Sequence, residues 1–205
     1  MAYVVTNCFD WIGYHLVNHL LNQGQNVIGF DEISSDKKET LSLFFGRNEL
    51  FTLNPSKRNK QGDDIAISVD VQTSGHSERT IQLRFDKPEE KRKTNIVSIK
   101  LPLLFGEWME MNDDGFYDKN DFVRFDSERF LTEAIYIKDF IYCVMQFTKS
   151  AYLPELIEIK SFREKEMNDA DQETSIYVRD KKPITENLKI VQAHYAKFRK
   201  LYGVI

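Results

Sequence analysis

Hydrophobic and polar positions follow more than one period along this chain. Tyr3–Thr6 and Val27–Phe30 are short apolar runs, the mark of strands buried on both faces. Between them Ile12, Leu16, Val17 and Leu20 recur at helical spacing over Ile12–Asn22, and Gly24 stands where such a helix would close. Ser35 or Asp36 can cap a second helix through Phe45, with Gly46 as its stop. Glu49–Leu53 reads as a third short strand. Strand and helix in strict alternation predict a right-handed parallel sheet.

The pattern then changes. Residues 54–63 are polar and read as a loop. Ile65–Val71 and Thr80–Phe85 alternate with period two around the turn-rich Gln72–Glu78, so a β-hairpin over 64–86 with one solvated face is expected. Asn95–Leu101 returns to a buried-strand pattern. Glu107–Asp121 is irregular, Asp126–Leu131 a helical turn, Ala134–Ile137 a strand, Lys138–Lys149 a helix and Glu155–Lys160 another strand. Arg163–Thr174 is almost entirely polar and reads as a mobile loop. The closing helix is expected over Glu186–Leu201, with Thr185 as N-cap and Gly203 beyond its end. The expected fold class is α/β: a Rossmann-like, mostly parallel sheet with flanking helices, a β-hairpin insertion and a small C-terminal α+β substrate-side portion. Residues 1–106 form the first portion and 107–205 the second, packed as one compact unit.

The first loop carries the most chemistry. A turn over Asn7–Gly13 joins the first strand to the first helix, and the second strand ends on Asp31. A dinucleotide-binding βαβ unit has this layout, with an acid about 20 residues beyond the turn to take a ribose hydroxyl. Three glycines belong in such a turn; here Asn7, Asp10 and Gly13 hold their places. The first needs a positive φ, which asparagine tolerates best after glycine. The second lets the backbone approach the pyrophosphate, and Asp10 adds both bulk and negative charge there. At ~4.5 Å and an effective dielectric near 20, each like-charge pair costs roughly 3–4 kcal/mol as an upper bound. The helix dipole returns only ~0.3–1 kcal/mol, so repulsion is expected to prevail. Asn7, Asp10, Trp11, Ile12, Gly13 and Asp31 are the candidate cofactor-binding residues. Should a dinucleotide bind, Asp31 selects NAD over NADP by repelling a 2′-phosphate; the other reading of Asp31 is a helix-capping or loop carboxylate.

These residues resemble the extended short-chain dehydrogenase/reductases, in particular the sugar-nucleotide epimerases and dehydratases. That family opens with T-G-x-x-G-x-x-G-x-H-L, then L-L-x-x-G-x-x-V-x-x-x-D; this chain supplies Thr6, Gly13, His15, Leu16, Leu20, Leu21, Gly24, Val27 and Asp31 in matching places. Ser34–Leu41 looks like the family's segment after the second strand. Val97–Gly106 is similar to its R-x-x-x-V-Y-G-P stretch, Glu133–Met145 to its D-F-I-Y-V-D-D-V-V-x-A-I motif, and Thr185–Gly203 to its terminal helix. Family members are longer, and the deficit falls between the third strand and Asn95. The resemblance places there the fourth and fifth strands, a catalytic Ser or Thr and a helical Tyr-x-x-x-Lys pair. That tyrosine acts as acid/base, with a pKa lowered from about 10 by the lysine. This interval contains no tyrosine. Tyr177 and Lys181 are the one formal match elsewhere, in a polar stretch before Pro183, where a strand leading into a loop is expected.

Composition narrows the rest. The chain has 205 residues, 41% of them hydrophobic, and a formal net charge of -4, which favours neither nucleic acid nor an acidic membrane surface. The run Lys87–Lys93 reads as a solvated loop. No apolar stretch approaches the ~20 residues of a membrane span. Cys8 and Cys143 lie apart in apolar segments and read as packing residues of a cytoplasmic protein. His15 and His19 stand i, i+4 without an evident third metal ligand, and the aspartates from Asp113 to Asp126 do not follow a Ca²⁺-loop spacing. The expectation is therefore a non-catalytic binding or interaction module, holding no cofactor or NAD weakly. Its partners would be a sugar nucleotide, another family member or a second copy. Two rival expectations are an NAD(P)-dependent epimerase or oxidoreductase using Tyr177 and Lys181, and a sugar-nucleotide sensor lined by Leu101–Gly106 and Tyr136–Asp139.

Overall fold

The computed structural model describes residues 2–55, 64–70, 77, 79–85, 95–119, 121–150, 153–167 and 175–202. The expected loop at 56–63, most of the connection 72–78, the charged run 87–93, residues 168–174 and Gly203 lie outside them. The chain divides into two compact units, Met1–Lys100 with Met145–Ile157, and Leu101–Val144 with Glu158–Ile205.

The first unit opens with β1 (Tyr3–Thr6), α1 (Trp11–Asn22), β2 (Val27–Phe30), α2 (Asp36–Phe45) and β3 (Phe51–Leu53). α1 forms because Ile12, Leu16, Val17 and Leu20 make one fully buried stripe. Ser35 caps α2 by accepting the Lys38 amide at 3.2 Å. Three further strands follow, β4 (Ile65–Val69), β5 (Arg79–Arg84) and β6 (Ile96–Lys100). With β11 (Leu156–Ser161) and β12 (Ser175–Val178), they complete an eight-stranded sheet in the order β12-β11-β6-β5-β4-β1-β2-β3.

The hairpin expected over 64–86 is not there. β4 and β5 run parallel, with Ile65 beside Arg79 and Val69 beside Leu83, and β4 also pairs parallel with β1. The sheet therefore keeps the strands that sequence reading counted as missing. Residues 70–78 link β4 to β5 and residues 85–95 link β5 to β6, fewer than the dozen or more that a crossover with a helix takes. The misleading alternation has a physical source in the register. Val5, Ile67, Ile81 and Val97 stand side by side on one face, and Thr6, Ser68, Gln82 and Ser98 on the other. Ser68, Gln82 and Ser98 are buried nonetheless. The Thr6 and Ser68 hydroxyls find no hydrogen-bond partner among the described residues. Ser68→Ala is thus expected to stabilise the fold by about 1 kcal/mol by removing a dry, unmatched hydroxyl; a urea midpoint unchanged or lowered would refute it.

In the second unit, β7 (Leu104–Phe105) pairs in parallel with β10 (Ile135–Tyr136), which leads into α4 (Ile137–Phe147). The stretch expected to be irregular holds an antiparallel hairpin of β8 (Gly115–Asp118) and β9 (Asp121–Arg124), followed by α3 (Glu128–Glu133). The expected loop after β11 begins as a helix, α5 (Phe162–Met167). The last helix, α6 (Ile184–Phe198), starts two residues earlier than expected, with Pro183 as N-cap instead of Thr185, and ends in a 3-10 turn over Arg199–Leu201. Proline fits there because its fixed φ suits entry to a helix and its missing N–H loses nothing.

Candidate functional site

The turn between β1 and α1 keeps two of its three backbone requirements. Asn7 has φ 51°, the left-handed conformation reserved for the first glycine, and its side-chain amide donates to the Val69 carbonyl at 2.9 Å. The Asp10 N–H closes the turn on the Asn7 carbonyl at 3.0 Å. Gly13 does what the third glycine does: a Cβ built there would lie 2.0 Å from the Asn7 oxygen. Ile12 is fully buried and Trp11 half-buried, so neither side chain is presented as an open contact surface.

The second position differs. Asp10 is the N-cap of α1 with φ -69° and ψ 155°, an ordinary extended residue that no longer calls for glycine. Its carboxylate makes no capping hydrogen bond of normal geometry. Burial raises its pKa, opposed by the Ile12 amide and then by Lys37 and Lys38. A carboxylate thus stands at the one helix end whose amides a pyrophosphate would need. Because the folded state favours the protonated acid, this contribution to stability is present below the ordinary value of 3.8 and lost as pH rises through the raised value. Asp10→Asn should accordingly show a higher urea midpoint than the wild type at pH 7, with the gap closing as pH falls toward 3.8. Equal midpoints at both ends would disprove the strain.

Asp31 stands at the carboxyl end of β2, and its side chain is only 2% exposed. Its Oδ2 accepts the Phe9 N–H at 2.8 Å, tying the β2 end to the turn. Its Oδ1 accepts the Glu32 N–H at 2.8 Å and the Lys38 ammonium at 2.6 Å. Asn54, with φ 42°, extends this frame by accepting the Asp31 N–H at 3.2 Å and donating to the Asp31 carbonyl at 2.7 Å. Around these groups lies an open cleft of about 580 Å³, lined also by Asn7, Phe30 and Ser34. It opens where ligands enter α/β folds, beyond the carboxyl ends of the strands. The sequence pattern found Asn7 and Asp31 but missed Lys38, Glu32 and Asn54. The only signal for Lys38 was its place in the first turn of a capped helix.

Cys8 lies fully buried behind the turn. Burial first, then the Asp31 charge, pushes its thiol up to about 12, so it is no nucleophile at neutral pH. Among the described residues no three His, Cys, Asp or Glu gather as metal ligands, and no helix is long and apolar enough to cross a membrane.

In the second unit, Tyr177 and Lys181 do not form a couple. Tyr177 is on strand β12, where i, i+4 spacing gives no common helical face, and its ring lies under Lys165 at 5.2 Å. Lys181 places its ammonium 3.5 Å from the Tyr142 ring centroid, while its N–H donates to Asp139 at 3.3 Å. A separate cluster joins buried Tyr136 to Glu107 at 3.0 Å, with Lys138 on the same carboxylate at 2.7 Å. Burial and then Glu107 drive the Tyr136 pKa upward, opposite to what an acid/base tyrosine needs.

No protein-family model and no curated protein sequence matches this chain. Solved structures do. A dTDP-glucose 4,6-dehydratase of Bacillus anthracis in complex with NAD superposes with a TM-score of 0.59 at 8% identity, covering 98% of each chain. The chain has the fold of the short-chain dehydrogenase/reductases. A UDP-glucose 4-epimerase from Thermotoga maritima with UDP-glucose gives 0.56 at 13% identity, covering 96% of this chain and 99% of that one. Yeast methylglyoxal/isovaleraldehyde reductase with NADPH gives 0.55 at 13% identity, covering 98% and 100%. This dehydrogenase/reductase fold accounts for the sheet order, with β3-β2-β1 on one side of the switch and β4-β5-β6 on the other.

Proposed function

We propose that the chain is a non-catalytic relative of the NAD-dependent epimerases and dehydratases, working as a binding or interaction module. The observation that carries this reading is Asp10 at the head of α1, which puts a half-buried carboxylate where a dinucleotide's phosphates would dock. Two features support it. Residues 85–95, between β5 and β6, contain no tyrosine, and Tyr177 and Lys181 face other partners.

Calorimetric titration with NAD, NADP and UDP-sugars, run beside a turnover assay, tests the reading. No turnover and no micromolar NAD binding are expected; micromolar NAD binding with turnover overturns it. Asp10→Gly should strengthen NAD binding by about tenfold or more, since relief of even ~1.4 kcal/mol of repulsion has that effect. A sugar-nucleotide sensor is the second reading. It is favoured by the pairing of β7 with β10, which joins the two segments expected to line its pocket. UDP-sugar binding without NAD would mark it out.

A further inference from the structure

We propose that the outer face of α2 is a self-association surface, on which a second copy of this chain packs its own α2 antiparallel about a two-fold axis. Its role does not depend on whether the chain is catalytic. α2 turns Leu41 and Phe45 inward, where both are buried. At about 100° per residue, Asp36, Thr40, Leu43 and Arg47 fall within about 60° of the line opposite those two. Arg47 continues the stripe because Gly46, the C-cap, keeps right-handed helical angles of φ -61° and ψ -15°. Apolar residues exposed singly need no explanation. Leu43, 74% exposed, and Phe44, 54% exposed, are instead adjacent, and they are the two most exposed large apolar side chains among the described residues. Phe44 is also held in place, edge-on to the buried ring of Tyr14 at 5.9 Å. A partner therefore meets an ordered ring with little rotamer freedom left to lose.

Charge decides the occupant. The stripe is acidic at its first residue, Asp36, apolar in its middle and basic at its last, Arg47. Those two ends lie about 16 Å apart along a helix. Two copies of α2 running the same way would bring acid to acid and base to base. Reversed, they bring each Asp36 to the Arg47 of the other copy. A two-fold axis near residues 41 and 42 makes both ion pairs at once, a self-complementary contact that closes at two copies. The same axis sets Leu43 level with Thr40 of the second copy and puts both Phe44 rings on one flank. Ion pairs at such a rim fix direction more than strength. A single pair of short helices falls below the ~1,200 Å² of stable interfaces, so a weak dimer is expected, with a Kd on the order of 100 µM.

Sedimentation velocity on the whole chain, from about 5 to about 500 µM, reads the association directly. The wild type should pass from monomer to dimer across that range. Leu43→Lys and Arg47→Glu should each weaken the dimer by about tenfold or more. Combining Asp36→Arg with Arg47→Glu reverses both charges and should restore it. Leu131→Lys, at an exposed apolar position on α3, should leave it unchanged. All four positions are exposed, so the fold is kept, and thermal melts check that it is. A monomer at the top of the range overturns the proposal. So does a dimer indifferent to Leu43→Lys, one weakened equally by Leu131→Lys, or a charge reversal that restores nothing.

Discussion

Replacing Gly13 by alanine is expected to destabilise the fold by about 3 kcal/mol or more, the upper end of overpacking costs. For a chain of this length that is a fall in Tm of roughly 6–12 °C. The added Cβ would meet the Asn7 carbonyl at 2.0 Å, its carbon at 2.9 Å and the Cys8 Cα at 3.0 Å. All three are backbone atoms, so no side chain can swing aside. The carbonyl is also fixed by the Asp10 N–H at 3.0 Å, and Asn7 is held in its left-handed conformation by Val69. Gly24→Ala makes the control: it has φ 69° but nothing within 4 Å, so only the ~1–2 kcal/mol of left-handed backbone strain applies. A Gly13→Ala protein melting at or above the Gly24→Ala protein would show that the turn is not the tight junction described here.

The second large effect is alkaline. Cys8 ionises near 9.0 in an unfolded chain and only at about 12 when folded, because burial and then the Asp31 charge oppose the thiolate. Above pH 9 the unfolded state binds fewer protons than the native one, so stability falls as pH rises. The loss accumulates through the window and approaches ~4 kcal/mol by pH 12, at about 1.4 kcal/mol per unit. Cys143, raised to about 11 by burial, adds a smaller decline over a narrower window. Urea midpoints followed upward from pH 9 should fall more steeply for the wild type than for Cys8→Ala, which starts lower because it leaves a small void. Parallel curves would mean that the thiol is not dry.

How far the sequence reveals this molecule depends on the range of the contacts involved. The βαβ opening was legible because its signals are local: an apolar run, a helical stripe, a capping serine and an acid at the end of β2. Asn7 could be assigned its backbone conformation from side-chain chemistry alone. The parallel pairing of β4 with β5 was not legible. Strands buried on both faces normally read as continuous apolar runs, whereas Ser68, Thr80 and Gln82 interrupt these two and imitate a half-solvated hairpin. The β8–β9 hairpin hid for another reason. Its turn passes through Lys119 at φ 59°, a conformation usually announced by glycine or asparagine. At the site, Asp31 could be singled out but not its state. Its partners Lys38 and Phe9 meet it only once α2 and the β1–α1 turn converge on the end of β2.

The short sequence separations around β5 lead to an expected order of assembly. Ile65 pairs with Arg79, and Thr80 with Ile96, at short separations in sequence, whereas Tyr3 reaches Ile65 only across the whole βαβ opening. Closing a loop costs more entropy as it lengthens, and chains rich in short-range pairings cross their barrier sooner. The middle of the sheet, β4 to β6, is therefore expected to form first, with β1 docking onto it later. Conservative substitutions such as Ile81→Val should slow refolding, while Val5→Ala should mainly hasten unfolding. A sheet whose middle pairings lie close in sequence would thereby gain a fast-forming centre.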